Sequence, residues 1–277
     1  MRIWQADFYR RPLQDETGKP LWELLICDAA RSFQFSAFCQ QSQANSDWLI
    51  SQLQQQTKTQ NVPNLIQVFR PQSLSLIAAA AKNLSIKVEA TRRTAALKSL
   101  LQERATEYPN MPNYTRENYS PIALDSPPPV PLPENLWGDK WRFASLRAGD
   151  MVEAFTGRPI PILEMPELLL PLNLGLASTI PVPGVVIDGG RQSMRLAMWL
   201  QDAKPFSLNY IAGAPDGLIL EAGLADRFVV ATFEDSEVKA AAAIYEQRKQ
   251  TSQGLHFLLV QPDDSGVTYT GFWLLNS

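Results

Sequence analysis

Residues suited to metal and redox chemistry are scarce in this chain: among 277 residues there are two cysteines, Cys27 and Cys39, and one histidine, His256. A tetrahedral structural zinc site draws four ligands from Cys and His, so that class is excluded. The two cysteines fall on neighbouring expected strands, where a disulfide is one reading. The absence of an export signal favours the other, free thiols in a reducing compartment. No apolar run approaches the roughly 20 residues that a bilayer helix needs; the best, residues 168–176, is short and broken by Pro171. A soluble protein without membrane insertion is expected. Residues 3–9 read as a strand with no basic region, apolar stretch and cleavage site ahead of them, so neither secretion nor organelle import is indicated and a cytoplasmic location is expected.

Apolar residues make up 45% and charged residues 19%, an ordinary globular balance that excludes wholesale disorder. The net charge of −3 hides an asymmetry. Residues 1–120 hold 14 Lys and Arg against 10 Asp and Glu, and the remainder 11 against 18. If one half meets nucleic acid, it is the first.

Local pattern predicts strands over residues 3–10, 21–28 and 33–39 and a helix over 47–56, capped by Asn45 or Ser46. A strand over 65–69, a helix over 72–82, a strand over 86–89 and a helix over 92–106 follow. The order βββαβαβα is that of ribonuclease H-like folds. Eight prolines between residues 109 and 133 then suit an extended connector. The expected organisation is an N-terminal α/β domain over 1–108, a proline-rich linker over 109–135 and a C-terminal α/β domain over 136–277. In the latter, a helix over 192–201, strands over 206–211, 218–221 and 228–233, a helix over 237–250 and strands over 255–260 and 269–275 contain a βββαβ core. The fold class is thus α/β, with two mixed lobes. Residues 147–184, rich in Leu and Pro, give no readable period.

Sites for catalysis do not assemble. Asp7 on the first strand is the kind of residue that holds metal in a two-metal nuclease, but the strand over 65–69 brings no second acid. Asp216 with Glu221 or Glu234 lacks the following lysine of metal-dependent endonucleases, and Asp216-Gly217 reads as a solvated turn. Asp188-Gly189-Gly190-Arg191 precedes a helix but lacks both phosphate-loop spacings, and reads as a strand-to-helix turn. His256, inside an apolar strand, reads as a hydrogen-bonded core residue. No catalytic residue, metal or cofactor is implied.

Basic residues instead gather at element ends. Arg10 and Arg11 close the first strand, Arg70 closes the fourth, and Arg92 and Arg93 open the last helix of the first lobe, where positive charge opposes the helix dipole. A bound phosphate would relieve that, taking free helix N–H groups and guanidinium forks. Pairing with Glu89, Asp28 or another local carboxylate is the alternative. Seven tryptophans add flat surfaces on which unpaired bases stack, though most tryptophans serve in cores.

Trp4-Gln5-Ala6-Asp7-Phe8 with Arg11-Pro12, Leu21-Trp22-Glu23-Leu24, Leu101-Gln102-Glu103-Arg104, Leu132-Pro133-Glu134-Asn135-Leu136-Trp137-Gly138-Asp139-Lys140-Trp141, Gly254-Leu255-His256-Phe257-Leu258 and the closing Trp273-Leu274-Leu275 together resemble the Tab2/Atab2 family, in order and over almost the whole chain. The resemblance implies an RNA-binding protein of oxygenic phototrophs that supports translation of photosystem I reaction-centre mRNAs and, in plants, is linked to photosystem II. It implies no enzyme activity and, since the pattern begins at Trp4, a cyanobacterial or mature form. Arg10, Arg11, Arg70, Arg92 and Arg93 are then the expected RNA contacts, on the leader of a photosystem mRNA. The acidic second lobe is expected to meet translation or assembly proteins. A protein-binding assembly factor without RNA contact and a divergent nuclease are the alternatives. Trp273, Leu274 and Leu275, the family's closing motif, form either a core strand or a docking peptide.

Overall fold

The structure, a computed structural model, describes residues 2–125 and 127–277, the side chain of Thr59 excepted. The chain divides into two compact units, Met1–Asp125 and Ser126–Ser277. Among the described residues it is a mixed α/β protein with three mixed sheets and six helices.

In the first unit, β1 (Ile3–Gln14), β2 (Pro20–Asp28), β3 (Gln34–Gln40), α1 (Ser46–Thr59), β4 (Leu65–Val68), α2 (Pro71–Asn83), β5 (Lys87–Ala90) and α3 (Ala95–Glu107) follow in order. The sheet runs β3-β2-β1-β4-β5; the first three strands pair antiparallel, while β4 and β5 run parallel to β1. Alternation on the central strand divides its faces. Trp4, Ala6 and Phe8 join Leu24, Ile26, Leu49, Leu53, Ile77 and Ala80 in a core shared with α1 and α2. Leu25 and Cys27 pack with Leu97, Leu100 and Leu101 of α3. Cys27 and Cys39 are buried free thiols, which settles the disulfide alternative; Cys39 stands opposite Trp22, five residues from Cys27.

The helix starts have separate causes. Asn45 caps α1 by accepting from the Trp48 amide at 3.0 Å, and Pro71 opens α2, where its missing N–H costs nothing. The last helix begins later than its sequence pattern, at Ala95. Arg92 and Arg93 therefore precede it, in a turn where Thr91 Oγ1 accepts from the Arg93 amide at 3.1 Å.

The proline-rich stretch is not a free connector along its length. The Gln14 amide donates to Asn113 O and the Thr115 amide to Pro12 O, both at 3.0 Å, so its first part runs back along β1. Further on, the stretch supplies β6 (Val130–Pro131) to the second unit.

That unit continues with β7 (Lys140–Arg147), α4 (Met151–Thr156), β8 (Ile162–Glu164), β9 (Pro181–Asp188), α5 (Ser193–Ala203), β10 (Pro205–Ile211), β11 (Asp216–Ala222), β12 (Asp226–Phe233), α6 (Ser236–Thr251), β13 (Leu255–Gln261) and β14 (Gly271–Asn276). Its sheets run β10-β11-β12-β6 and β7-β9-β13-β14-β8. The expected βββαβ order is present along the chain, but β13 lies in a different sheet from β10, β11 and β12. Gly184 on β9 is required by packing, since a Cβ there would lie 2.3 Å from the Phe257 ring. Asp216 opens a strand and is buried, accepting from the Tyr210 hydroxyl at 2.8 Å and the Gly213 amide at 2.9 Å, so the solvated-turn reading is corrected. Asp188 holds Arg142 and Gln261, and the amides of Gly189 and Gly190 donate to Gln261 O and Pro262 O. That turn is internally bonded.

His256 joins the two sheets. The Leu208 amide of β10 donates to its Nε2 at 2.9 Å, which places the ring proton on Nδ1, 2.7 Å from Gly254 O. Burial, reinforced by Lys249, pushes its pKa down to about 3. The folded protein thus keeps this ring neutral where an unfolded chain, with a pKa near 6.5, takes up a proton. Stability from this group is full above about pH 6.5 and lost as pH falls toward 3. The denaturant midpoint of the second unit, followed by near-ultraviolet circular dichroism, is expected to drop between pH 6.5 and 5; a flat midpoint would contradict the neutral buried ring.

The closing strand β14 is core on both faces: Trp273 and Leu275 pack on α5 and α6, Leu274 with Phe257 and Phe272 on the opposite side. Removing residues 273–277 is expected to abolish cooperative thermal unfolding of the second unit, and Trp273→Ala to cost about 3–5 kcal/mol. Retained cooperativity in the truncated chain would show that the strand is dispensable to the core.

Candidate functional site

On the α3 face of the first sheet the strand alternation that buries Leu25 and Cys27 also points Gln5, Asp7 and Glu23 inward. Gln5 Oε1 accepts from the Leu97 amide at 3.0 Å, capping α3 from a neighbouring strand. The same alternation brings Arg11 to the face of Asp7 and Glu23, although past Arg10 the register of β1 against β2 shifts, with Pro12 in the irregular stretch.

Asp7 and Glu23 have side chains with no exposure, as does Arg11. Arg11 Nη1 donates to Asp7 Oδ2 at 3.0 Å and its Nε to Glu23 Oε2 at 2.9 Å. Arg70 Nε donates to Asp7 Oδ1 at 2.9 Å. Glu23 also accepts from Arg104 at 2.7 Å, Ser36 at 2.9 Å and the Tyr108 hydroxyl at 2.6 Å. Burial alone would raise the Glu23 pKa; Arg11, Tyr108 and Arg104 outweigh it and hold the carboxyl below its ordinary value. Burial likewise opposes charge on Arg11, and Asp7, Tyr119, Tyr108 and Glu23 outweigh it. Burial raises the Tyr108 phenol, which stays a donor.

Three arginines meet the two buried carboxylates, with Glu107 as a further partner of Arg104, and Arg11 Nη2 has no hydrogen-bond partner. Above it opens a cavity of about 480 Å³. Arg11, Arg70 and Tyr9 line it with the acids Glu117 and Asp125, and exposed Arg10, Gln72 and Asn118 stand at its rim, Gln72 donating to Asp125 at 3.0 Å. The Arg70 guanidinium stacks 4.2 Å over the Tyr9 ring and donates to Pro121 O at 2.7 Å and Ala123 O at 3.1 Å. Here backbone carbonyls of the proline-rich stretch serve as acceptors for a buried cation. Arg70 and Arg92 follow the carboxyl ends of the parallel strands β4 and β5, the end of an open α/β sheet where ligands bind.

The two ends of the chain's sequence pattern are matched separately. Residues 3–104 match the family model described as RNA-binding protein Tab2/Atab2 N terminal, and residues 119–276 that of RNA-binding protein Tab2/Atab2, C-terminal domain. The chain is 34% identical to the chloroplastic TAB2 homolog protein of Arabidopsis thaliana, covering 99% of this chain and 74% of that one. Against the Zea mays chloroplastic TAB2 homolog it is 33% identical over 99% of this chain and 71% of that one. The chain belongs to the Tab2/Atab2 family of RNA-binding proteins. A partial structural likeness to the HTLV-2 integrase catalytic core domain, at 17% identity over 40% of this chain and 75% of that one, has a TM-score of 0.27, too low to carry weight. No helix among the described residues is long and apolar enough to cross a membrane.

Of the five arginines expected to contact RNA, the structure gathers Arg10, Arg11 and Arg70 around the cavity. Arg11 and Arg70 are buried and bonded to carboxylates, so Arg10 is the exposed cation at its rim. Arg93 is exposed and Arg92 buried beside Lys98, whose pKa burial and the Arg92 charge press down to about 8. Neither lies in a helical first turn, which removes the dipole argument for them. Arg11 and Arg70 thus pair with local carboxylates, Asp7 and Glu23, while Glu89 accepts from Gln67 and Asp28 from Ser32 and the Phe33 amide. Sequence reasoning missed Tyr9, Gln72 and Asn118, which gain meaning only once residues 111–125 fold back on β1.

Glu23→Gln leaves Arg11 and Arg104 facing a neutral amide and is expected to destabilise the first unit by about 3–5 kcal/mol, read from hydrogen exchange at β2. A loss below about 1 kcal/mol would show that the cluster is solvated and the ion pairs weak.

Proposed function

We propose that this chain is a non-catalytic RNA-binding protein that supports translation of photosystem I reaction-centre mRNAs, with photosystem II mRNAs as further targets, by binding their leader regions. The observation that carries it is the match of both family domain models, over residues 3–104 and 119–276. The geometry supports the non-catalytic reading: Asp7, the acid on the first strand that would serve a metal-dependent nuclease, is held by Arg11 and Arg70. In this reading Arg10 and Arg93 take backbone phosphates, Arg11 and Arg70 supply the positive floor of the cavity, and Arg92 holds the turn that presents Arg93. The protein acts in the cytoplasm of a phototroph, whereas its plant relatives are chloroplastic, and the acidic second unit meets translation or photosystem-assembly proteins.

Crosslinking in the native phototroph, with sequencing of the RNA recovered on the tagged protein, tests it against an Arg10→Glu/Arg93→Glu variant. Reaction-centre leaders are expected from the wild type and not from the folded variant. In solution the variant's slope of log affinity against log salt is expected to be shallower by between one and two, about 0.7 per lost single-strand phosphate contact. Equal recovery of unspecific RNA from both would overturn the site. Absence of RNA from the wild type would favour the protein-assembly role.

A further inference from the structure

The second unit holds a cavity of a different character, of about 510 Å³, within the range of ordinary ligand pockets. Its walls are apolar: Leu132, Leu136, Ile187 and Val229, closed by the indoles of Trp137 and Trp141, with Lys140 between them in sequence. Trp137 is 55% exposed, unusual for the largest apolar side chain, yet it is not loose. Its Nε1 donates to Leu132 O at 2.8 Å, and the Asp139 amide donates to Asp188 O at 2.7 Å. Between them Gly138 presses against β9 so closely that a Cβ would lie 2.5 Å from Ile187 Cγ2 and 3.0 Å from Asp188 O. Trp141 is fixed by tilted and edge contacts to Phe233 and Phe143 at 5.5 and 5.3 Å. With its N–H already bonded, Trp137 presents only a rigid ring face.

A fixed, exposed aromatic face beside an apolar slot and a lysine is the arrangement that stacks unpaired bases, and every base offers a π face to it. We propose that this cavity receives a base of single-stranded RNA, stacked on Trp137, with Lys140 near the adjoining phosphate and Thr232 at the wall for a base edge. The inference rests on the RNA-binding reading and assigns that binding a second contact, carried mainly by stacking. Charge does not drive it: residues 126–277 hold 11 Lys and Arg against 17 Asp and Glu, a net −6 that repels a polyanion. Stacking must therefore supply the attraction here, and stacking differs from phosphate contact in its response to salt.

The test is binding of 12-residue oligouridylate and oligoadenylate to the full chain across a salt series, for wild type, Trp137→Ala and Trp137→Phe, each checked for an unchanged thermal melt. Trp137→Ala is expected to weaken binding about tenfold with the salt slope unchanged, and Trp137→Phe to restore most of it. Ultraviolet crosslinks from 5-bromouridine oligomers should map to the peptide holding Trp137 and Trp141. If Trp137→Ala binds RNA as the wild type does, the base site is wrong, the RNA-binding reading stands, and the cavity is left to a protein side chain. If the wild type binds neither oligomer, both fall.

Discussion

A carboxylate buried without a partner costs several kcal/mol, and the first unit buries two of them, Asp7 and Glu23, on one face of its sheet. Everything on that face follows from meeting the cost. Arg11 can serve both acids because strand alternation puts it on the face of Asp7, four residues earlier on β1, and within reach of Glu23 on the neighbouring strand. Glu23 draws in Arg104 and Tyr108 from the end of α3, fixing the helix across the strands. Asp7 draws in Arg70 from the start of α2, and Arg70 in turn needs acceptors for its remaining donors. It finds them in the carbonyls of Pro121 and Ala123, so the segment after α3 is tied back over β1. One pair of acids thus positions two helices and a strap, and the cavity is the space those elements leave.

That chain of dependence explains which parts were legible in the sequence. Strands and helices of the first unit follow local period, and their order could be read because each is long enough to repeat it. Arg11 and Arg70 were visible as cations at strand ends, but not as buried ones, because their partners are set by sheet register and by contacts 63 and 12 residues apart in sequence. The late start of α3 had a similar cause. Its orphan amide at Leu97 is satisfied by Gln5, 92 residues away, a cap that no local pattern contains. Residues 147–184 resisted reading because α4 has six residues and β8 three; β8 exists through pairing with β14, not through propensity.

The closing Trp273-Leu274-Leu275 shows the reverse case, a motif whose meaning is structural. Apolar runs of this length read equally as a buried strand or as a tail, and only the pairing of β14 with β13 and β8 decides between them. The fully buried Trp273 keeps its indole N–H without a partner, a cost of about 1–3 kcal/mol that its large apolar contact must exceed. Trp137 stands in the opposite condition, with its N–H satisfied and its ring in solvent.

The two tryptophans illustrate how polar bonding sorts side chains of one type into core and surface roles. A core indole can leave its donor unmet where apolar contact surrounds the ring on every side. An exposed indole held by its own N–H, by a glycine that admits no side chain and by a backbone bond on the next residue loses its rotamer freedom before any ligand arrives. Binding to such a face gives up less entropy than binding to a mobile one. Phosphate contacts of the kind proposed for Arg10 and Arg93 are screened as salt rises, whereas a preorganised ring face keeps its attraction in salt. Stiffness, with the same sequence segment supplying Leu132, Gly138 and both indoles, is what separates the Trp137 surface from an incidental apolar patch.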